Sequence, residues 1–232
     1  TSLLGLFVSI AALAGLIVPA LARGTHPLLV ILVGGACIAI ISMYTAHGIN
    51  RRTSISLAST LIALAIGAVL AEISVRLAQL GGLGSEGAFY LTAQVGNGFS
   101  FRGLLLGGII VGMLGVLDDV TTAQVATVGE LHEANPTLSR RELYRRGLRV
   151  GREHISSLVN TLALAYAGTA LPLMLLLSMT EHAPWWVLMN SEFFAEEIVR
   201  TLMGSTALIL AIPLSTALAA RMLVRNTSKS DH

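Results

Sequence analysis

Charged side chains are scarce in this chain: Asp, Glu, Lys and Arg together make up 12% of its 232 residues. A soluble domain needs roughly a quarter of its residues charged to hold its surface in water. The shortage excludes an ordinary water-facing globule. With 54% hydrophobic residues and a mean hydropathy of +0.75, the solvent implied is lipid. Cysteine is nearly missing: the single Cys37 excludes an internal disulfide and is silent on redox compartment. There is no Cys or His cluster at metal-ligand spacing, no phosphate-binding loop, no G-x-S-x-G elbow and no HExxH pair. No catalytic residue, cofactor or metal is therefore expected, and the chain does not read as an enzyme. The net charge of +2 follows from where arginine sits on membrane proteins, so no nucleic-acid partner is expected. The chain starts at Thr1 and enters an apolar run without a charged flank. That start argues against a signal peptide and reads as a chain whose upstream part is missing.

What is present is length of apolar run. A bilayer's hydrocarbon takes about 20 apolar residues per helix. Six stretches qualify: residues 2–22, 27–46, 55–80, 101–120, 155–179 and 199–224. The expected fold is all-α, a polytopic transmembrane bundle of about six spans in one domain. A tight turn of Arg23, Gly24, Thr25 and His26 joins the first two, with Pro27 at a helix start. Gly81, Gly82 and Gly84 end the third, and the stretch to Ser100 reads as a loop. Trp185 and Trp186 suit an aromatic belt at the interface.

Basic residues set the orientation. Arg51 and Arg52 follow the second span, the Arg140–Arg152 cluster lies between the fourth and fifth, and Arg221, Arg225 and Lys229 close the sixth. The intervening loops carry Glu86, Glu181 and Glu192 instead. With six spans, every basic loop falls on one side, which places both ends of this chain in the cytoplasm and the protein in the cell membrane. Between the fourth and fifth spans, residues 121–154 read as a helical hairpin. Val125, Val128 and Leu131 continue the fourth helix, Asn135-Pro136 stops it, and Ser139 with Glu142 forms a capping box for the next. Arg140, Arg141, Arg145, Arg146 and Arg149 make this hairpin the most charged element, a surface on which a partner can dock.

Gly108, Gly112, Gly115 and Asp119 share one face of the fourth span, a groove that admits a neighbouring helix and ends at a carboxylate. Asp118 lies beside it on another face. About 18 residues at 1.5 Å each put Asp119 near the hydrocarbon edge. Two readings stand: a hydrated end of the span, or a cation or proton site. On the fifth span Asn160 brings an amide to a similar depth, next to Thr161. Gly168 and Pro172 there offer packing or a hinge, since Pro172 loosens the helix one turn back. Glu72 with Arg76 reads as a helical ion pair near the other end of the third span. Glu196, Glu197 and Arg200 read as residues of a first helical turn, the acids suiting the helix dipole.

Several stretches resemble one family. They are residues 47–53 (His-Gly-Ile-Asn-Arg-Arg-Thr), 101–105 running into 112–120, 130–136 (Glu-Leu-His-Glu-Ala-Asn-Pro), 138–143, Gly151-Arg152, 160–166, Gly168, 171–173 (Leu-Pro-Leu), 190–192 and 195–198. Together they resemble the YibE/F-like family of multipass bacterial membrane proteins across nearly the whole chain. The resemblance implies an upstream helix and extracytoplasmic domain in longer members, and a permease-like role. The family pattern has one aspartate before the valine, matching Asp119. Asp118 departs from an apolar position, and Glu153-His154 departs from an acid followed by apolar residues.

Two functions are open at this point. One is a transporter or permease, cation- or proton-coupled, with Asp119 binding the ion and Asn160 ordering it. The other is a non-transporting membrane subunit or assembly protein that docks a partner through the basic hairpin. The bilayer is the expected surrounding; a homo-oligomer or a membrane partner subunit is the further expectation.

Overall fold

A computed structural model describes residues 2–22, 27–94, 99–179, 184, 186–187 and 190–224. The turn at residues 23–26, and Glu181, Trp185, Arg225 and Lys229, lie outside the described residues. The chain is helical with no strand among the described residues. Four helices are long and apolar enough to cross a membrane, and with the shorter apolar ones they make a helical membrane bundle.

The first helix is interrupted. α1 (Ser2–Ala12) passes through a π-helical turn at Leu13–Ile17 into α2 (Val18–Ala22). Pro19 explains the widening: it has no N–H to give, and its ring crowds the carbonyl one turn back. The Val18 N–H reaches back to the Leu13 carbonyl instead. α3 (Pro27–His47) and α4 (Arg51–Leu77) meet at a corner of three residues. Gly48 takes φ +76°, which a glycine adopts without cost, and the Asn50 side chain caps α4 by accepting from the Thr53 N–H at 2.8 Å.

α5 (Glu86–Thr92) is a short helix where the sequence reads as loop, started by Ser85, whose hydroxyl accepts from the Ala88 N–H. α6 (Phe101–Ala134) is capped by Ser100 and runs on well past the apolar stretch, as the spacing of Val125, Val128 and Leu131 predicts. α7 (Arg140–Thr169) starts at its Ser139 cap; α8 (Leu171–Ser178) follows after a break at Ala170. The fifth apolar stretch is thus two helices, and Pro172 is the reason. Pro172 has no N–H for the Gly168 carbonyl, and the last turn closes with the Ala170 N–H on the Tyr166 carbonyl at 3.0 Å. α9 (Glu192–Leu223) runs through Pro213.

α4, α6 and α9 pack mutually at the centre; α3 lies against α6 and α4, α1 against α3, and α7 against α9 and α6. Lipid tails are as apolar as leucine, so contact between these helices depends on close fit and on polar interlocks. Gly67 brings α4 against Met113 of α6 and Ala207 of α9; a methyl group there would meet Met113 Sδ at 2.9 Å. The hairpin folds back as a packed unit: Leu138 and Leu143 join Ile55, Val125, Val128 and Ala219 in one buried cluster.

Candidate functional site

α1, its π turn, α3 and α6 enclose a cleft of about 500 Å³ that ends at two successive carboxylates, Asp118 and Asp119. Ser9 and Leu13 line one wall, Ser42 and His47 another, and Gly115 leaves the floor open. Consecutive helix positions point about 100° apart, so the two acids differ in surroundings. Asp118 is half-buried. The Ser42 hydroxyl donates to its Oδ2 at 3.3 Å, while Oδ1 is shut away from solvent without a hydrogen-bond partner among the described residues. Asp119 is exposed. The π turn sits directly on this cleft, and widened turns of that kind recur where a helix serves a ligand.

The other candidate residues fall elsewhere. Asn160 and Thr161 are exposed on α7, away from the lining of the cleft, and the Thr161 hydroxyl donates to the Ser157 carbonyl within its own helix. Gly108 and Gly115 have open space where a side chain would stand, among the described residues. Gly112 faces the Tyr166 hydroxyl, and Gly168 and Pro172 are exposed. The close approach on α6 uses the preceding position: a methyl on Gly107 would meet Ile31 Cδ1 at 2.6 Å.

Beneath the carboxylates lies a polar interlock that sequence reasoning missed. Thr60 of α4 and Thr121 of α6 share a hydrogen bond of 2.6 Å, and the Thr121 hydroxyl also reaches the Asp118 carbonyl. One turn on, the Gln124 amide donates to the Gly147 carbonyl at 2.9 Å and to the Thr216 hydroxyl at 2.8 Å, tying α6 to α7 and α9. Ser59, Thr60, Thr121, Gln124 and Thr216 are all buried. The available signal was their helical spacing on strongly apolar spans.

The two ends of the bundle handle charge differently. At the basic end Arg52 pairs with Glu130 and Glu133, and the Arg51 guanidinium donates to the Met222 carbonyl. Glu142 does not reach back to complete its capping box. Instead it accepts from Arg146 and Arg145, and the Arg146 bond, then the Arg145 bond, holds its carboxyl below the usual range. At the other end the acids of α9 grip a glycine loop. Glu192 accepts from the Gly81 and Gly82 N–H groups, and buried Glu196 accepts from Gly84 at 2.9 Å. Their role is thus to hold the loop, beyond the favourable dipole placement that the sequence suggests. Glu72 pairs with Arg76 as its spacing predicts, and with Arg102 at 3.7 Å. Trp186 is exposed.

No group of three or more potential metal ligands is found among the described residues. No curated protein matches the sequence, and no solved structure does. The sequence model described as YibE/F-like protein matches residues 1–225, nearly the whole of what is described above. The chain belongs to the YibE/F-like family.

Proposed function

We propose that this protein is a membrane permease coupled to a proton or a monovalent cation, with the coupling site at Asp118 and Asp119. The observation that supports it is the buried Oδ1 of Asp118, without a partner among the described residues, at the end of a cleft with a second carboxylate beside it. An orphaned polar atom is costly to keep dry. A proton or a small cation removes that cost, and intramembrane carboxylates serve this role in pumps and carriers. In this reading Asp118 holds the ion, Ser42 orients the carboxylate, and Asp119 receives it from the open part of the cleft. Asn160 and Thr161 drop out of the ion site. The break at Ala170 and the π turn of α1 are the places where helices bend during the cycle. The basic loops face the cytoplasm of a cell membrane, as the arginine distribution implies.

The test is proton entry into proteoliposomes carrying an internal pH dye, under an imposed potential. Asp118→Asn should abolish it and Asp119→Asn should slow it at least tenfold. A double Asp118→Asn/Asp119→Asn variant that conducts like the parent, for protons and for sodium, would overturn the reading.

A second reading has an observation of its own. Arg140, Arg141 and Arg149 have no carboxylate partner among the described residues, unlike Arg145 and Arg146. A non-transporting subunit that docks a partner through this hairpin uses such arginines. Replacing all three with Gln then abolishes co-purification of the partner while leaving the flux of any transporter untouched.

A further inference from the structure

The hollow between the start of α7 and the end of α9 has about 710 Å³ of free space and is lined by Arg140, Arg141, Tyr144, Ala217, Arg221 and Met222, among others. Three guanidinium groups border it, and none of the three has an ion-pair partner among the described residues. Between them lie alanines and a methionine, an apolar floor. The position matters as much as the charge. α9 is long and apolar enough to cross a membrane, and residues 217–222 are its last turns, so the hollow lies at the basic end of the bundle, on the headgroup side of the hydrocarbon edge.

We infer that this hollow binds the phosphate of an anionic phospholipid, with the arginines on the phosphodiester and the glycerol and upper acyl carbons against Ala217 and Met222. A soluble anion has no use for an apolar floor beside the arginines; a lipid needs both. Arginine suits the task because its planar fork matches phosphate oxygens in pairs and gives up its hydration more readily than lysine. Basic hollows between spanning helices on the cytoplasmic face are the expected receptors for such headgroups. A second arginine-lined hollow offers an internal contrast. Arg145, Arg149 and Arg152 border it together with Glu153, and Arg145 is already committed to Glu142. A carboxylate in the lining repels phosphate, so this second hollow is not the receptor. The inference is independent of the transport reading.

The test uses the purified chain in neutral detergent, titrated with short-chain phosphatidylglycerol, phosphatidylcholine or inorganic phosphate, and read by native mass spectrometry and thermal unfolding. Phosphatidylglycerol should be retained and should raise the melting temperature; phosphatidylcholine should do neither. Arg140→Gln/Arg141→Gln/Arg221→Gln should weaken phosphatidylglycerol retention by roughly 100-fold, about one favourable contact per arginine. Arg145→Gln/Arg149→Gln/Arg152→Gln, with the same charge removed, should retain it within about threefold. If the first triple variant does not fold, the single Arg221→Gln should still lower retention about fivefold. Equal losses in the two triple variants would mean bulk charge and overturn the site. So would equal stabilisation by inorganic phosphate, which would mean a soluble anion, or no difference between phosphatidylglycerol and phosphatidylcholine.

Discussion

The two halves of α7 invert the usual relation between polarity and burial. Its first half carries the arginines, yet Leu143, Gly147 and Gly151 of that half are buried against α6 and α9. Its second half, residues 155–169, is far more apolar, and not one of its residues is buried. Water drives apolar surface together; lipid does not. Leu143, set among arginines, gains by leaving water, whereas a leucine surrounded by lipid, as the sequence reads Leu164, gains nothing by leaving it. Close packing of a helix also needs small residues and polar interlocks. The first half of α7 has both, Gly151 against Ile212 and the Gln124 amide on the Gly147 carbonyl. The second half offers small residues, but no interlock reaches it among the described residues.

The sharpest way to break this contrast is to put the same side chain at a glycine in each half. A methyl on Gly151 would meet Ile212 Cγ2 at 2.4 Å and Gln124 Oε1 at 2.8 Å. Gly151→Leu should therefore cost about 3 kcal/mol or more in a mixed-micelle unfolding titration. Gly168→Leu has open space, and its change should stay within about 0.5 kcal/mol. Equal costs at the two positions would show that the second half is also packed.

Next in size is the interlock itself. Gln124→Leu removes two buried hydrogen bonds and strands the partners, so a loss of about 2 kcal/mol is expected in the same titration, with α7 detaching first. Hydrogen exchange that opens residues 143–151 before the ends of α4 would confirm the order. A smaller effect, about 1 kcal/mol, is expected for Ser139→Ala, which removes the cap on the Glu142 N–H. Ser139→Asp should restore it; if both variants match the parent, the hairpin packing alone holds the start of α7. The smallest effect belongs to Asn160→Ala, within about 0.5 kcal/mol for an exposed amide. A loss several times larger would place Asn160 against a second copy or a partner subunit.

Much of this architecture was legible in the residues. Long apolar runs mark lipid-facing helices whatever their neighbours, so the bundle, the extension of α6 and the Ser139 start of α7 could all be read directly. The breaks were less visible. Pro172 signalled a loosened turn, but whether the helix bends or stops depends on what lies beside Ala170. Pro19 gave the same warning for the π turn of α1, which went unread because the apolar run continues through it. The candidate site was half legible. Asp118 and Asp119 stood out as carboxylates at the end of an apolar span, but nothing local paired them with Ser42 and His47, which come from a helix some seventy residues earlier. The Gln124 interlock escaped for the same reason: its partners, Gly147 and Thr216, are far apart in the chain.

Composition and periodicity determined the solvent of this protein, its all-helical class and the end of the bundle at which its arginines gather. Those depend on side-chain chemistry summed over whole segments. Only the tertiary structure decided which of two neighbours turns inward: Gly107 rather than Gly108 at the contact with α3, and Asp118 rather than Asp119 under Ser42. Adjacent helix positions differ by about 100° of rotation. Between apolar helices and apolar lipid, transfer energy does not choose between those faces; the fit of particular atoms does.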